Sequence, residues 1–251
     1  MIAHLKVDRV SKRFGEKESG VEALAETSFE VARGKALMIV GPSGCGKSTL
    51  LNLISGLDTP NTGEILVEGS RRTGPGPDRA VVFQEGALFP WLSVLENVTF
   101  GLRLKGFGRA EREEKARAML ERLGLAGFEN RFIHELSGGM RQRVAIARAM
   151  ALDPQLVLMD EPFSALDAMT REDLYALLQG VWTASETTVV FVTHNIREAV
   201  TLGDVVALMS PRPGRMIGLY PVDLPRPRRI DDPEVASIAK ELSDRLKAGA
   251  Q

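Results

Sequence analysis

One cysteine, Cys45, stands alone among 251 residues. A single thiol cannot close an internal disulfide, so the chain has no cystine framework and suits a reducing compartment. An excess of either charge is also missing: 32 Lys and Arg meet 33 Asp and Glu, for a formal net charge of −1. Nothing in that balance draws the chain to nucleic acid. No apolar run approaches the roughly 18 residues that a membrane-spanning helix needs. Lys6 and Asp8 carry charge too early for a secretory signal. Internal repeats and low-complexity tracts are absent. These absences point to the cytoplasm, or to a membrane reached only through a partner. What is present is an ordinary soluble composition, 44% hydrophobic and 26% charged. The length allows a sizeable core and one or two domains.

The stretch Gly41-Pro42-Ser43-Gly44-Cys45-Gly46-Lys47-Ser48-Thr49 organises the rest. The apolar run Ala36 to Val40 before it reads as a buried strand, and Leu50 to Ile54 after it as the start of a helix. Between them lies G-x-x-x-x-G-K-[ST]. Small residues let successive N–H groups curl around an anion, and the following helix aims its positive end at the same spot. Lys47 can then reach the β- and γ-phosphates of a nucleoside triphosphate, and the Ser48 hydroxyl can ligate Mg²⁺. A glycine-rich turn matching by chance would not need the flanking strand and helix. Cys45 sits beside a helix N-terminus, which lowers a thiol pKa. Alkylation there is therefore expected to block nucleotide binding.

Residues 4–14 read as an edge strand, 16–20 as a turn and 21–31 as a strand pair. Phe14, just before that turn, either packs as a strand aromatic or stacks on a nucleotide base. Residues 64–69 and 80–83 read as strands, the second ending at Gln84. From about Val94 to Ala151 the pattern is helical. Ser93-Val94-Leu95-Glu96 is a capping box, Arg109 to Leu123 a charge-dense helix, and a further helix runs from near Ser137 to Leu152. Unbroken apolar runs at 156–159, 188–192 and 205–209 read as strands of a covered parallel sheet, the last of them closing the core. Helices at 168–183 and 196–201 alternate with these strands, and 232–248 is a polar terminal helix.

Asp160 and Glu161 directly follow the apolar run 156–159. Two carboxylates at the end of a buried strand are costly without a cation or a task. In a phosphate-loop protein the first coordinates Mg²⁺ and the second orients or deprotonates the attacking water. The alternative is a helix N-cap pair at Asp160-Glu161-Pro162. His194 also ends a strand, at the edge where ligands bind in open α/β folds, and suits contact with a γ-phosphate. His4 and His134 have no such context. Gln84 ends a strand too, and its amide could touch Mg²⁺ or the water. Leu136-Ser137-Gly138-Gly139-Met140-Arg141-Gln142-Arg143 is a Ser-capped helix start whose glycines leave N–H groups open. One triphosphate cannot easily use both anion-binding helix ends within a protomer, which suggests a site shared between two subunits.

Together the loop 41–49, Gln84, 136–143, 156–161, Ser164-Ala165-Leu166-Asp167 and His194 resemble, in order and spacing, the nucleotide-binding subunits of ATP-binding cassette transporters. The resemblance covers nearly the whole chain. It implies that Phe14 stacks on adenine, Glu161 is the catalytic base and His194 the switch histidine. It implies ATP and Mg²⁺, the metal at Ser48, Gln84 and Asp160. It also implies a head-to-tail homodimer. Each ATP would lie between residues 41–49 of one copy and Ser137, Gly138 and Gly139 of the other, with Asp167 in a loop that crosses between them. Met140 departs from the family, which most often has glutamine there.

The expected fold is α/β: a phosphate-loop NTPase core with a mostly parallel sheet, an N-terminal antiparallel β subdomain and an inserted α-helical subdomain. Its parts would be 1–84 with 155–215 as core, 85–154 as the helical block, and 216–251 as a tail and helix. DRAVVFQE at 78–85, Leu88 to Trp91, DEPFSALD at 160–167 and SPRPGR at 210–215 resemble the importers of nitrate, sulfonates and taurine. That likeness implies a peripheral subunit on the cytoplasmic side of the inner membrane, driving a transmembrane permease served by a periplasmic or extracellular solute-binding protein. The permease would dock near Glu85 to Phe100, where Leu88, Phe89 and Trp91 are either exposed anchors or local core. The short segment after 215 argues against importers that append a regulatory barrel. One rival is a soluble cassette ATPase acting on nucleic acid or the ribosome. The chain lacks the long coiled coil of chromosome-maintenance cassettes and the doubled cassette of translation factors. Another is a nucleotide-binding regulator without turnover, against which Glu161 and His194 both stand.

Overall fold

The computed structural model describes residues 3–15, 20–84, 86–183 and 185–249. In chain order its elements begin with β1 (Leu5–Phe14), β2 (Val21–Val31), β3 (Ala36–Val40), α1 (Lys47–Ser55), β4 (Thr62–Val67), β5 (Ser70–Arg71) and β6 (Arg79–Val82). Three helices follow: α2 (Val94–Leu104), α3 (Arg109–Arg122) and α4 (Gly138–Met150). The chain then returns to alternation with β7 (Leu156–Asp160), α5 (Ala168–Thr183), β8 (Thr188–Thr193), α6 (Ile196–Leu202), β9 (Val205–Met209), β10 (Met216–Pro221) and α7 (Pro233–Ala248).

One sheet has the order β10-β9-β3-β8-β7-β6, parallel except for β10. The other has the order β2-β1-β4-β5 and is antiparallel. Strand alternation sorts the core into two layers. Leu37 and Ile39 of β3 face the layer built from α1 and the antiparallel sheet, with Leu50, Leu51, Val7 and Phe29. Ala36, Met38 and Val40 face the layer supplied by α4 to α7, through Val144, Leu174, Ala199 and Val235. Both faces of the strand are covered, which is why it is apolar at every position. Burying each of Leu37, Met38, Ile39 and Val40 contributes about 1.5–3 kcal/mol. The apolar interior of α2 to α4 is continuous with this second layer. Because β3, β7 and β8 run parallel, their carboxyl ends meet at one edge. That places loop 41–49, Asp160-Glu161 and His194 together.

Several sequence readings need correction. β1 is not an edge strand: Leu5 pairs with Val31 on one side and with Val67 on the other. Residues 21–31 make one long strand, since no turn residue interrupts them. One more strand, β10, follows residues 205–209 as an antiparallel edge; none of its residues is fully buried, so 205–209 remain the last core strand. The terminal helix is amphipathic and buries Val235, Ala239 and Leu242. The turn read at 16–20 falls mostly outside the described residues, as does Glu85. Among the described residues no helix is long and apolar enough to cross a membrane.

Candidate functional site

Helix α1 is capped by Gly46, which has φ 99° and offers no side-chain cap. That backbone angle favours glycine. A Cβ there would also run into the Ala23 carbonyl of β2. A Cβ on Gly214 would likewise run into the Cys45 carbonyl. The phosphate loop is therefore packed closely against β2 and against the turn after β9, which bonds to β2. Lys47 is only 5% exposed. Its ammonium donates to the carbonyls of Gly41 at 2.9 Å and Pro42 at 3.0 Å, and stands 3.9 Å from Glu161 Oε1. A cleft of about 350 Å³ opens over it, lined by Phe14, Ser43, Lys47, Ser48 and Glu161 among others. A buried cation held mainly by carbonyls, beside uncapped helix N–H groups, suits a polyanion. The cradle fits a nucleotide's phosphates.

Ser48 Oγ donates to Asp160 Oδ1 at 3.0 Å. Burial raises the Asp160 pKa; the Ser48 hydrogen bond opposes this, the Glu161 charge adds to it and Lys47 opposes it. A carboxylate short of positive charge beside a hydroxyl is a hard, oxygen-only donor pair. Among the described residues no group of three His, Cys, Asp or Glu gathers as a metal site. Mg²⁺ in triphosphate sites is held by one or two protein oxygens plus phosphates and water, so this pair fits it.

Glu161 has φ 41°, a strained conformation for a residue with a side chain. Its N–H donates to Val192 O at 3.0 Å, tying the end of β7 to β8. Its Oε2 lies 2.9 Å from His194 Nδ1. No helix starts at Asp160; the next one, α5, begins at Ala168. Gln84 Nε2 donates to Ser164 Oγ at 3.0 Å, and Ser164 Oγ donates to Glu161 O at 3.0 Å. The Gln84 amide thus reaches the Glu161 backbone through one hydroxyl.

Phe14 ends β1, is 47% exposed and forms one wall of the cleft. Cys45 corrects an expectation. Its side chain is 1% exposed and belongs to the core under α1. Burial raises its pKa and outweighs the Lys47 charge and the backbone hydrogen bonds that lower it. The thiol packs under Gly41 and does not line the cleft.

Ser137, Gly138 and Gly139 do not line the cleft. Ser137 caps α4, accepting from Met140 N at 3.3 Å. A Cβ on Gly139 would strike the Thr170 side chain. Asp167 caps α5 through Thr170 N at 3.0 Å and Thr170 Oγ1 at 2.7 Å, which holds its carboxyl below the usual range. The two segments sit side by side, away from Lys47.

The group at 88–91 divides. Trp91 is 70% exposed, Leu88 packs on the core, and Phe89 lies against Phe100 at 4.6 Å. His4 is buried and bonded to Thr188; His134 stacks on Phe132. Sequence reasoning missed Glu198, which is buried and accepts hydrogen bonds from Tyr175 and from Thr193, the residue before His194. It also missed Arg212, whose Nε donates to Gly44 O at 3.1 Å. The available signal was its setting, an arginine between two prolines just after a strand that borders β3.

A strand, a glycine loop with a buried lysine, a helix N-terminus and two strand-end carboxylates define a phosphate-loop nucleoside triphosphatase. Residues 24–164 match the ABC transporter family. An ABC transporter ATP-binding protein of Methanocaldococcus jannaschii is 48% identical, with 98% of this chain and 92% of that one aligned. The taurine import ATP-binding protein TauB of Burkholderia pseudomallei is 48% identical over 90% of this chain and 86% of its own. A dimeric ATP-binding cassette solved in a post-hydrolysis state with ADP and Pi superposes with a TM-score of 0.77. It is 33% identical, covering 88% of this chain and 99% of that one. The chain belongs to the ABC transporter family and is an ATPase of the cassette type.

Proposed function

We propose that this chain is the ATP-hydrolysing subunit of an importer for a small anion such as taurine, an aliphatic sulfonate or nitrate. The observation that carries hydrolysis is the 2.9 Å contact between Glu161 and His194 beside Lys47 and the Ser48–Asp160 pair. Identity to taurine import proteins supports the importer assignment.

Phe14 stacks on the adenine, and the backbone of Gly41 to Thr49 cradles the phosphates with Lys47. Mg²⁺, held by Ser48 and Asp160 with Gln84 nearby, offsets charge on the β- and γ-phosphates when bound. Glu161 accepts the proton of the attacking water, and His194 orients that carboxylate and faces the charge developing on the γ-phosphate. Ser137, Gly138 and Gly139, with Asp167 beside them, act on the ATP of a second copy. That arrangement gives both helix N-termini a ligand.

In this reading residues 1–84 with 155–215 form the nucleotide core, 85–154 the helical block that meets the permease, and 216–251 the closing segment. Trp91 is the exposed anchor for the permease. The complex works at the cytoplasmic face of the inner membrane, supplied by a solute-binding protein. No observation favours a nucleic-acid partner. The test is uptake of labelled taurine, alkanesulfonate or nitrate into vesicles holding the permease encoded beside this chain, with and without Glu161→Gln. ATP-dependent uptake lost in the variant is expected. Uptake of none of these solutes would overturn the substrate class, and equal ATP turnover in the variant would overturn the catalytic assignment.

A further inference from the structure

We propose that Arg212, on the turn between β9 and β10, contacts the phosphates of the bound nucleotide and is part of the binding site. It lies outside residues 24–164, the span matched to the family. Its side chain lines the same cleft as Lys47, Ser48 and Glu161. Nε donates to Gly44 O at 3.1 Å, its one hydrogen bond among the described residues. That bond uses one of five N–H donors and leaves the terminal fork unengaged. A guanidinium fork matches phosphate oxygens in pairs, and here it stands at the rim of an anion cradle.

The turn is held so that this placement needs little further ordering. Ser210 is 4% exposed, and its hydroxyl accepts from Arg215 N at 3.2 Å and lies 3.0 Å from Pro211 O and 3.3 Å from Pro213 O. Prolines on both sides of Arg212 fix their own φ angles. Gly214 presses on the Cys45 carbonyl, and Ala25 N donates to Gly214 O at 2.8 Å. The turn is thus fastened to the phosphate loop on one side and to β2 on the other. A preorganised contact loses less entropy when ligand arrives. The competing role is a brace: Arg212 steadies Gly44 and never meets the ligand.

The inference rests on ATP occupying this cleft, so ATP binding by the unaltered chain is the control. Its failure would overturn that reading rather than the role of Arg212. The experiment titrates the full chain, Arg212→Ala, Arg212→Met and Arg212→Lys with ATP and with ADP, at low and high salt. Nucleotide-free melting is followed alongside. Both neutral variants should bind ATP roughly 5- to 20-fold more weakly and with a shallower salt dependence, as expected for loss of a charge-assisted phosphate contact. Arg212→Lys should recover part of the affinity, and the melting temperature without nucleotide should hold. Unchanged ATP affinity in the neutral variants would overturn the proposal. So would a loss that follows a drop in melting temperature while the salt dependence stays as in the unaltered chain, because that is the signature of a brace.

Discussion

Helices α1 and α4 both have glycine at their N-terminal end, Gly46 before the first and Gly138 opening the second, yet their first turns are finished differently. At α1 the cap is Gly46, with no side chain to satisfy the open N–H groups. Those groups face a cleft walled by Phe14 and by the buried Lys47 ammonium. At α4 the cap is Ser137, whose hydroxyl already accepts from Met140 N. Its surroundings are the start of α5, where Thr170 packs on Gly139. Among the described residues the buried lysine, Lys47, and the Ser48–Asp160 hydrogen bond belong to the first site and not to this one. In the proposed reading the first helix end is a binding site by itself. The second supplies a serine and glycine N–H groups but no enclosure, and the proposed partner copy supplies the rest.

Four experiments can break or sharpen that contrast. The largest effect is expected at Glu161. Glu161→Gln should lower kcat by about 10²- to 10⁴-fold while leaving ATP binding intact, as for loss of a general base. Phosphate release and nucleotide titration measure the two halves. Next comes Gly46→Ala. A Cβ would meet the Ala23 carbonyl at a positive φ, so ATP binding should be lost and the fold weakened by about 1–3 kcal/mol. Normal ATP affinity in that variant would remove the close fit from the account.

Ser137→Ala should act oppositely. Loss of the cap weakens the fold by about 1 kcal/mol, ATP binding to the separate chain persists, and turnover falls because the neighbour's ATP loses a contact. The smallest expected effect is at Asp160. Its folded pKa is raised by burial. The neutral form therefore favours folding below the ordinary carboxylate range, and that contribution is lost as pH rises through the raised value. Asp160→Asn should melt above the unaltered chain at pH 8, with the gap closing toward acid. Melting scans at several pH values without nucleotide check the sign.

The phosphate loop was legible because its chemistry is local: spacing, flanking strand and helix lie within a short stretch. Asp160, Glu161 and His194 were legible as strand ends, since parallel strands bring such ends to one edge. Less could be read where distant segments decide. Local reasoning gave Cys45 a lowered pKa from the adjacent helix, but packing under α1 buries the thiol and reverses the direction. The central place of β1 depends on β4 pairing to it across the sheet, which no periodicity in residues 5–14 records. Arg212 lies far from Gly44 in sequence, and only the neighbouring positions of β9 and β3 bring them together.

The half-site account is tested most directly by light scattering of Glu161→Gln with Mg²⁺ and ATP. The chain has a mass of 27.4 kDa. The account predicts a particle of twice that mass with ATP, a monomer without it, and a monomer again when Ser137→Arg is added to the same variant. A monomer with bound ATP, or a dimer indifferent to the Ser137 change, would contradict it.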